Sequence, residues 1–384
     1  SLDGLYRAVG EATGRDPKQP QYCDACFSGE YPVKPADMIN KGFELKPAAE
    51  EQSKITQNVL YDTKHKKTDT GMTNTTDTVA QDGVQTPAPK TAREWVKILA
   101  QYRDPNPARS VFELCVSLLP FRALWAFAWW VLQYSVLAAL VIAMLNGAFL
   151  VRIFIIQHDC GHGGFFRNRH LSDWTGRVLG VLTLTPYDVW RRTHSLHHAS
   201  AGNLSQRGFG DVHTMTVAEY RASSWIGRLG YRLYRNPLVL FGLGPAYLFI
   251  IQNRIPYGLM DKWTYWVSAM GSNIAIAAVL GLIVYFGGLL PLAVIFVPTV
   301  LVAASAGIWL FYVQHQFEET HWDHDTDWQL HDAALHGSSH YVLPKVLQWF
   351  SGNIGVHHVH HLYSRIPFYR LTEVLRDHAE LVEA

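Results

Sequence analysis

The sequence predicts an all-α integral membrane protein with four transmembrane helices and a histidine-rich helical cap on their cytoplasmic side. Three observations lead to this fold class: two long apolar blocks, clusters of histidine beside them, and Lys and Arg concentrated in the same segments as the histidines. The 384 residues are 48% hydrophobic and carry a formal net charge of +1. A chain this close to neutrality has no overall field to recruit nucleic acid, so we expect no nucleic-acid partner.

Both apolar blocks are long enough for two membrane spans. A helix needs roughly 20 residues to cross the hydrocarbon core. The block from Val111 to Gln157 therefore holds two helices, with a tight turn expected near Gln133–Ser135. The block from Tyr265 to Val313 holds two more, with a break at Gly287–Gly288. We expect Pro298 to kink the last of these helices.

The number of spans decides on which side each loop lies. The shorter apolar stretch from Val239 to Ile251 contains two glycines and a proline, so we expect it to be interfacial or re-entrant. With four spans, both termini and every histidine cluster fall on one side. The turns near Ser135 and Gly288 carry no Lys or Arg, whereas the histidine side is rich in them, for example Arg167, Arg169, Arg191, Arg192, Arg254 and Arg370. The positive-inside rule places that side in the cytoplasm, and hence the chain in the cytoplasmic (inner) membrane.

Histidines in ligand-like spacing carry the chemical signal. On a helix, residues three or four apart share a face, so the histidines of one cluster can reach one ion. Three clusters supply eight histidines, and His315 at the end of the fourth span is the expected ninth. A single zinc ion takes three or four protein ligands, and imidazole suits iron, copper and zinc. The sequence therefore predicts a two-metal site with these ligands: His158, His162, His194, His197, His198, His315, His357, His360 and His361.

Other polar residues near the clusters are candidates for orienting the ligands, as carboxylates and amides commonly do. They are Asp159, Asp188, Asp211, Glu318 and Asn353. Most remaining histidines are expected not to bind metal. The His-rich segment from His321 to His340 is interpreted as a polar cytoplasmic loop that could still donate a ligand, and His321 is the rival of His315. His358 lies inside the third cluster, whose three-residue pattern is complete without it.

Four segments resemble the membrane fatty acid desaturase family, and the likeness extends over about residues 93–383. They are 152–162 (Arg-Ile-Phe-Ile-Ile-Gln-His-Asp-Cys-Gly-His), 193–198 (Thr-His-Ser-Leu-His-His), 311–317 (Phe-Tyr-Val-Gln-His-Gln-Phe) and 352–361 (Gly-Asn-Ile-Gly-Val-His-His-Val-His-His). The resemblance, strongest to the bacterial acyl-lipid type, implies a non-haem di-iron enzyme. Such an enzyme uses O₂ and two electrons to insert a double bond into an acyl chain of a lipid. The sequence has no His-Pro-Gly-Gly motif of a fused haem domain, so we expect an external electron donor such as ferredoxin or a small cytochrome.

Alternative functions share parts of this pattern. Hydroxylases, ketolases and conjugases of the same superfamily have the same histidine clusters and differ in the outcome of the oxidation. A zinc-dependent membrane hydrolase is a more remote alternative, because Asp159 follows His158 and the His-Glu-x-x-His motif with its general base is missing. A non-catalytic fusion is a third alternative.

The first part of the chain differs in character from the rest. Residues 1–47 resemble the C-terminal tail of amidophosphoribosyltransferase without its catalytic domains, so we expect a non-functional fused fragment. Within it, Cys23 and Cys26 are half a zinc site at best. Residues 48–92 are polar and are expected to form a disordered linker, leaving 93–384 as the desaturase domain. Met72 could open a membrane protein, so the arrangement suggests two neighbouring genes read as one product.

Overall fold

The structure is a computed structural model that describes residues 90–208 and 210–382. In this part of the chain the regular structure is helical, and the α-helices alternate with short 3₁₀ and π turns. In chain order the helices are α1 (Ala92–Leu99), α2 (Pro107–Val131), α3 (Val136–His162), α4 (Arg169–Leu182), α5 (Tyr187–Ser200), α6 (Val217–Ala222), α7 (Trp225–Tyr234), α8 (Gly244–Ile250), α9 (Trp263–Gly287), α10 (Leu289–His315), α11 (Leu330–His336), α12 (Lys345–Phe350), α13 (His357–Leu362) and α14 (Leu371–Asp377).

Four of these helices, α2, α3, α9 and α10, are long and apolar enough to cross a membrane, which confirms the predicted spans. The first pair is separated at the predicted turn, where the Ser135 side chain accepts a hydrogen bond from the Ala138 N–H (3.2 Å) and caps α3. Gly163 ends α3 in the left-handed conformation, with φ of 70°. The stretch from Val239 to Ile251 forms a π turn and α8, which is too short to span and packs against α10.

The fourth span is irregular near its start. A π-helical turn occupies Leu292–Phe296, immediately before Pro298. Proline has no N–H to donate and its ring crowds the carbonyl four residues earlier, so a regular α-helical turn is disfavoured there. The structure therefore shows a widened turn in the part of the span where Pro298 was expected to produce a kink.

Helix α3 is central and packs against α2, α4 and α10. At Gly147 the backbones of α3 and α10 approach closely, because a Cβ atom there would lie 2.8 Å from Val302 Cγ1. Two buried hydrogen bonds fix the same region: Thr299 Oγ1 donates to the Ala143 carbonyl (2.9 Å) and Asn146 Nδ2 donates to the Phe121 carbonyl (3.2 Å). Small residues and interhelical hydrogen bonds are the usual basis of helix packing in membranes, where apolar side chains gain little from leaving lipid.

A buried ion pair connects the spans to the histidine-bearing end. The Arg152 guanidinium on α3 is 2% exposed and pairs with Glu113 on α2. It also donates to the Trp349 carbonyl on α12 and lies over the Trp349 ring, 3.9 Å from its centroid. Because a buried guanidinium is costly unless it is paired, this network fixes α12 against the ends of α2 and α3.

The first helix that the structure describes lies next to the predicted domain boundary at residue 93. Helix α1 begins at Ala92, one residue before the expected start at residue 93. Its N-terminus is closed by a capping box in which Thr91 and Glu94 bond each other's backbone N–H. The fragment 1–47 and the linker up to residue 89 lie outside the described residues.

Helix α11 lies within the segment interpreted as a loop from His321 to His340, so that interpretation was wrong for residues 330–336.

We predict that Gly147→Ala destabilises the protein by about 1–3 kcal/mol, because the added methyl group overpacks the α3–α10 contact. The matched control is Gly281→Ala on α9, where a Cβ atom meets nothing within 4 Å. Thermal denaturation of both variants in the same detergent measures the effect. Equal midpoints for the two would contradict the close packing at Gly147.

Candidate metal centre

Four helices bring the nine predicted histidines together. The last turn of α3 carries His158 and His162, and the last residue of α10 is His315. Helix α5 carries the second cluster and α13 carries the third. The C-terminal ends of two spans therefore meet at one place, and two shorter helices cover it.

The first group of potential ligands contains five histidines. Their ligand atoms lie within 4.8 Å of one another, and the residues are His158, His162, His194, His198 and His360. Consecutive Nε2 atoms are closer still: His194 Nε2 lies 3.1 Å from His162 Nε2 and 3.2 Å from His198 Nε2. His198 Nε2 is in turn 3.1 Å from His360 Nε2.

The second group contains the remaining four, His197, His315, His357 and His361, and its ligand atoms also lie within 4.8 Å of one another. His315 Nε2 lies 3.1 Å from His197 Nε2 and 2.9 Å from His357 Nε2. His361 Nε2 is buried and has no hydrogen-bond partner among the described residues. The groups adjoin where the rings of His198 and His361 stack at 4.0 Å.

This geometry fits two metal ions. With metal–nitrogen bonds of about 2.1 Å, neighbouring ligand nitrogens are roughly 3.0 Å apart in an octahedron and roughly 3.4 Å apart in a tetrahedron. The Nε2 contacts of 2.9–3.2 Å match that spacing. A neutral imidazole has one N–H, so hydrogen bonds cannot satisfy every nitrogen in such a group. A cation at the centre of each group would satisfy the inward lone pairs together.

Three of the nine histidines are oriented by acceptors on their outer side. His158 Nδ1 lies 3.1 Å from Asp159 Oδ1, and His197 Nδ1 bonds Asp211 Oδ1. His315 Nδ1 lies 3.2 Å from the carbonyl oxygen of Gly337. Because a carbonyl or carboxylate oxygen can only accept, these contacts favour the tautomer with its proton on Nδ1, in which Nε2 presents a lone pair inward.

The other expected orienting residues lie elsewhere. The Asp188 carboxylate accepts two hydrogen bonds from Arg177 (3.0 and 3.1 Å) and bonds no histidine among the described residues. The Asn353 side chain donates to the Phe368 carbonyl (3.1 Å), and its positive φ of 56° forms the turn before α13. Glu318 is exposed. For Asp188 and Asn353 the structure therefore shows ion-pair and turn roles in place of the expected contact with a ligand.

His321, the rival of His315, and His358, which the third cluster does not need, both lie outside the groups. The His321 side chain is 56% exposed and pairs with Asp323 at 2.6 Å. His358 Nε2 donates to the Leu381 carbonyl (2.7 Å) on the far side of α13.

Sequence reasoning missed several contacts of the site. The indole of Trp190 stacks on His194, with ring centroids 4.7 Å apart, and Phe311 lies 4.9 Å from His197. Trp190 precedes His194 by one helical turn on α5, so helical periodicity could have identified it. Two other contacts are made by backbone groups and could not be recognised from residue types. They are the Phe368 N–H, which donates to Asp159 Oδ2 (2.7 Å), and the Gly337 carbonyl.

Burial sets the protonation of the ligands that lie outside the spans. Removal from water lowers the pKa of five histidines well below the usual range, with a further contribution from the neighbouring rings: His194, His198, His357, His360 and His361. These imidazoles are therefore neutral at neutral pH, which is the form that binds metal ions.

Four spanning helices and two adjoining histidine groups define a helical membrane protein with a histidine-rich site suited to metal ions. Residues 134–384 match the family model described as Fatty acid desaturase. The chain is 42% identical over 289 residues to "Fatty acid desaturase" of Bacillus subtilis (strain 168), covering 75% of this chain and 81% of that protein. It is also 28% identical to the "sn-1 acyl-lipid omega-3 desaturase (ferredoxin)" of Synechocystis sp., covering 59% and 64% of the two chains. The chain belongs to the fatty acid desaturase family, with acyl-lipid desaturases among its relatives, and is thus an oxidoreductase of the membrane.

We predict that His315→Ala loses bound metal and activity, because the second group keeps only three histidines. The control is His321→Ala, which should retain most of both because its exposed ring lies outside the groups. Metal analysis of the purified variants and product analysis in cells measure the two effects. Loss of metal from His321→Ala with retention in His315→Ala would reverse the ligand assignment.

A second prediction concerns the carboxylates that bond the Nδ1 atoms of the clustered histidines. Asp211→Asn should weaken metal binding about 10–100-fold, the usual effect of removing a carboxylate behind a histidine ligand. Asp188→Asn removes a carboxylate from α5 that bonds arginine, and its metal affinity should stay near that of the unaltered protein. Metal titration of the metal-depleted proteins gives the comparison, and equal losses in both variants would refute a specific role for Asp211.

Proposed function

We propose that this chain is an O₂-dependent acyl-lipid desaturase whose two non-haem iron ions are held by the nine histidines. The observation that carries the proposal is the division of the nine histidines into groups of five and four, inside a chain of the desaturase family. One zinc ion uses three or four protein ligands, so the number of converging imidazoles favours two ions. Imidazole suits iron, and removal of hydrogen from an unactivated methylene group needs a strong oxidant.

The reaction converts –CH₂–CH₂– to –CH=CH– and reduces O₂ to two water molecules, with two electrons and two protons from outside. The iron ions, when bound, supply the binding and reduction of O₂ that side chains cannot provide. The protein positions and protects the site. Asp159, Asp211 and the Gly337 carbonyl fix the ligand rings, while Trp190 and Phe311 cover the first and second groups with apolar surface.

An apolar cavity inside the spans suits the hydrocarbon part of the substrate. It has a volume of about 170 Å³ and is lined by side chains of α2, α3, α4, α9 and α10, among them Trp125, Leu150, Ile276 and Val300. Leu150 precedes His158 by eight residues on α3, or roughly 12 Å along the helix axis. We propose that part of the acyl chain occupies this cavity while the methylenes that react lie next to the histidines.

Charge and relatives support the remaining assignments. We place the histidine end and both termini in the cytoplasm and the protein in the inner membrane, because Lys and Arg are concentrated on that side of the spans. Two relatives, from Synechocystis sp. and Nostoc sp., are named as ferredoxin-dependent acyl-lipid desaturases. We propose an external electron donor of the same kind, ferredoxin or a small cytochrome. The activity is assigned to residues 93–384.

The alternatives are separated by chemistry. A di-iron lipid hydroxylase or ketolase would use the same ligand set and yield oxygenated acyl chains in place of new double bonds. A zinc hydrolase needs a free general base, whereas the Asp159 carboxylate is buried and already accepts hydrogen bonds from His158 and Phe368. Metal analysis distinguishes the classes, with about two irons per chain expected for the desaturase and one zinc for the hydrolase.

Expression in a bacterium that lacks polyunsaturated lipids tests the function. We expect new double bonds in its membrane fatty acids, located by mass spectrometry of the lipid extract. His197→Ala is the matched inactive control: it should remain in the membrane, because apolar segments and not metal set the spans. Hydroxylated or keto products would favour the alternative enzymes, and unchanged lipids with a properly reduced donor present would contradict the proposal.

A further inference from the structure

Helix α7 exposes its apolar face and turns its polar face toward the protein. Trp225, Ile226, Leu229 and Leu233 are 68%, 62%, 47% and 55% exposed. At positions i, i+1, i+4 and i+8 they form one stripe along the helix. A surface helix of a water-soluble protein has the opposite arrangement, with its apolar stripe against the core.

The inward face of α7 binds the loop before α6. The Tyr231 hydroxyl accepts a hydrogen bond from the Met215 N–H (3.3 Å), and the Tyr234 hydroxyl accepts one from the His213 N–H (3.0 Å). These bonds satisfy backbone donors of a segment that has no regular secondary structure. The orientation of α7 is therefore fixed by specific contacts.

A further contact joins this region to the fourth span. The Arg235 guanidinium, just after α7, donates to Gln316 Oε1 (3.1 Å) and to the Tyr312 hydroxyl (3.3 Å). Thr214 Oγ1 donates to the same Gln316 oxygen (3.2 Å). Gln316 directly follows His315, so α7, the loop and the end of α10 form one polar network.

The chain between α7 and the third span also exposes apolar side chains. Leu238, Leu243 and Ile251 are 81%, 68% and 59% exposed, and Trp263 at the start of α9 is 78% exposed. Helix α8, which lies in this stretch, packs against the spanning helix α10. Exposed apolar residues in this number need a cover, and because α8 packs against the span α10, the bilayer around that span is the nearest apolar medium.

The flanking charges suit the same position. Arg228 donates to the Arg221 carbonyl (3.3 Å), and Arg232 donates to the Tyr220 hydroxyl (2.6 Å). Neither arginine has a carboxylate partner among the described residues. A helix with Trp and Leu on one side and arginines at its edges lies in the interface, where the arginines reach lipid phosphates.

We propose that α7 is an interfacial membrane anchor that holds Asp211 against His197. Asp211 bonds His197 Nδ1, and the two N–H groups held by α7 follow it within four residues, at His213 and Met215. When α7 lies in the bilayer, it holds the loop from its membrane side. It thereby keeps the Asp211 carboxylate bonded to Nδ1 of His197. The anchoring is inferred only from the exposed apolar stripe of α7 and from its hydrogen bonds. Its effect on His197 as a metal ligand rests on the proposed function.

A spin label at Leu229→Cys tests the anchoring. The full chain, with Cys23, Cys26 and Cys115 replaced by Ser, is reconstituted in vesicles of phosphatidylcholine and phosphatidylglycerol. We expect the label to collide more with O₂, which concentrates in lipid, than with a water-soluble nickel chelate. A label at Arg376→Cys, whose arginine side chain is 74% exposed outside the spans, should favour the chelate. Preference of the Leu229→Cys label for the chelate would overturn the anchor.

Removal of two hydroxyl groups tests the effect on the site. The double variant Tyr231→Phe/Tyr234→Phe should bind one of its two ferrous ions about tenfold more weakly when metal-depleted protein is titrated under anaerobic conditions. Tyr220→Phe is the matched control, because its hydroxyl bonds Arg232 and not the loop, and it should bind iron like the unaltered chain. Equal affinities in both variants would overturn the coupling. An unaltered chain that binds no iron would contradict the proposed function and the coupling together, while the spin-label result would stand.

Discussion

Nine imidazole rings converge at one place where five of them are buried and four half-buried, and much of the described structure serves to make that burial favourable. A polar group removed from water is costly unless it finds a partner. The outer nitrogens of three rings are satisfied by two carboxylates and a carbonyl, but the inner nitrogens face one another at 2.9–3.2 Å. Without a cation, those lone pairs would repel. The fold therefore provides most of the site's geometry, and a bound metal ion would add to its stabilisation, as in other sites where metal binding and folding are coupled.

Convergence of the rings also constrains the membrane part. Histidines at the ends of α3 and α10 meet only if these helices end at the same depth and pack without a gap. The close contact at Gly147 and the hydrogen bond from Thr299 meet that requirement in the spans. Nearer the site, Arg152 joins α3 to Glu113 and to the Trp349 carbonyl on α12. Helix α12 ends seven residues before α13 begins. Polar contacts in the apolar layer thus set the positions of histidines that lie beyond it.

Sequence reasoning could predict what is local. Span length, the turn at Ser135 and histidines one helical turn apart all follow from short-range geometry, so the spans are confirmed and the nine histidines lie together in the structure. The choice of Asp188 failed because sequence proximity was used without helical phase: six residues before His194 on α5, it points about 120° away from it, given 3.6 residues per turn. The Gly337 carbonyl and the Phe368 N–H were out of reach, because backbone groups leave no trace in residue type and are brought to the site by loops.

The two histidine groups are supported in different ways. The carboxylate behind His158 is Asp159, on the same spanning helix, so its position follows from α3 itself. The carboxylate behind His197 is Asp211, in a loop without regular structure, and its position depends on what holds that loop. Helix α7 binds the loop through tyrosine hydroxyls while its apolar stripe faces outward, an arrangement that contact with lipid would stabilise. The first group is thus supported from within α3, whereas the second depends on a loop bound by α7, which the proposed anchoring would hold at the membrane surface.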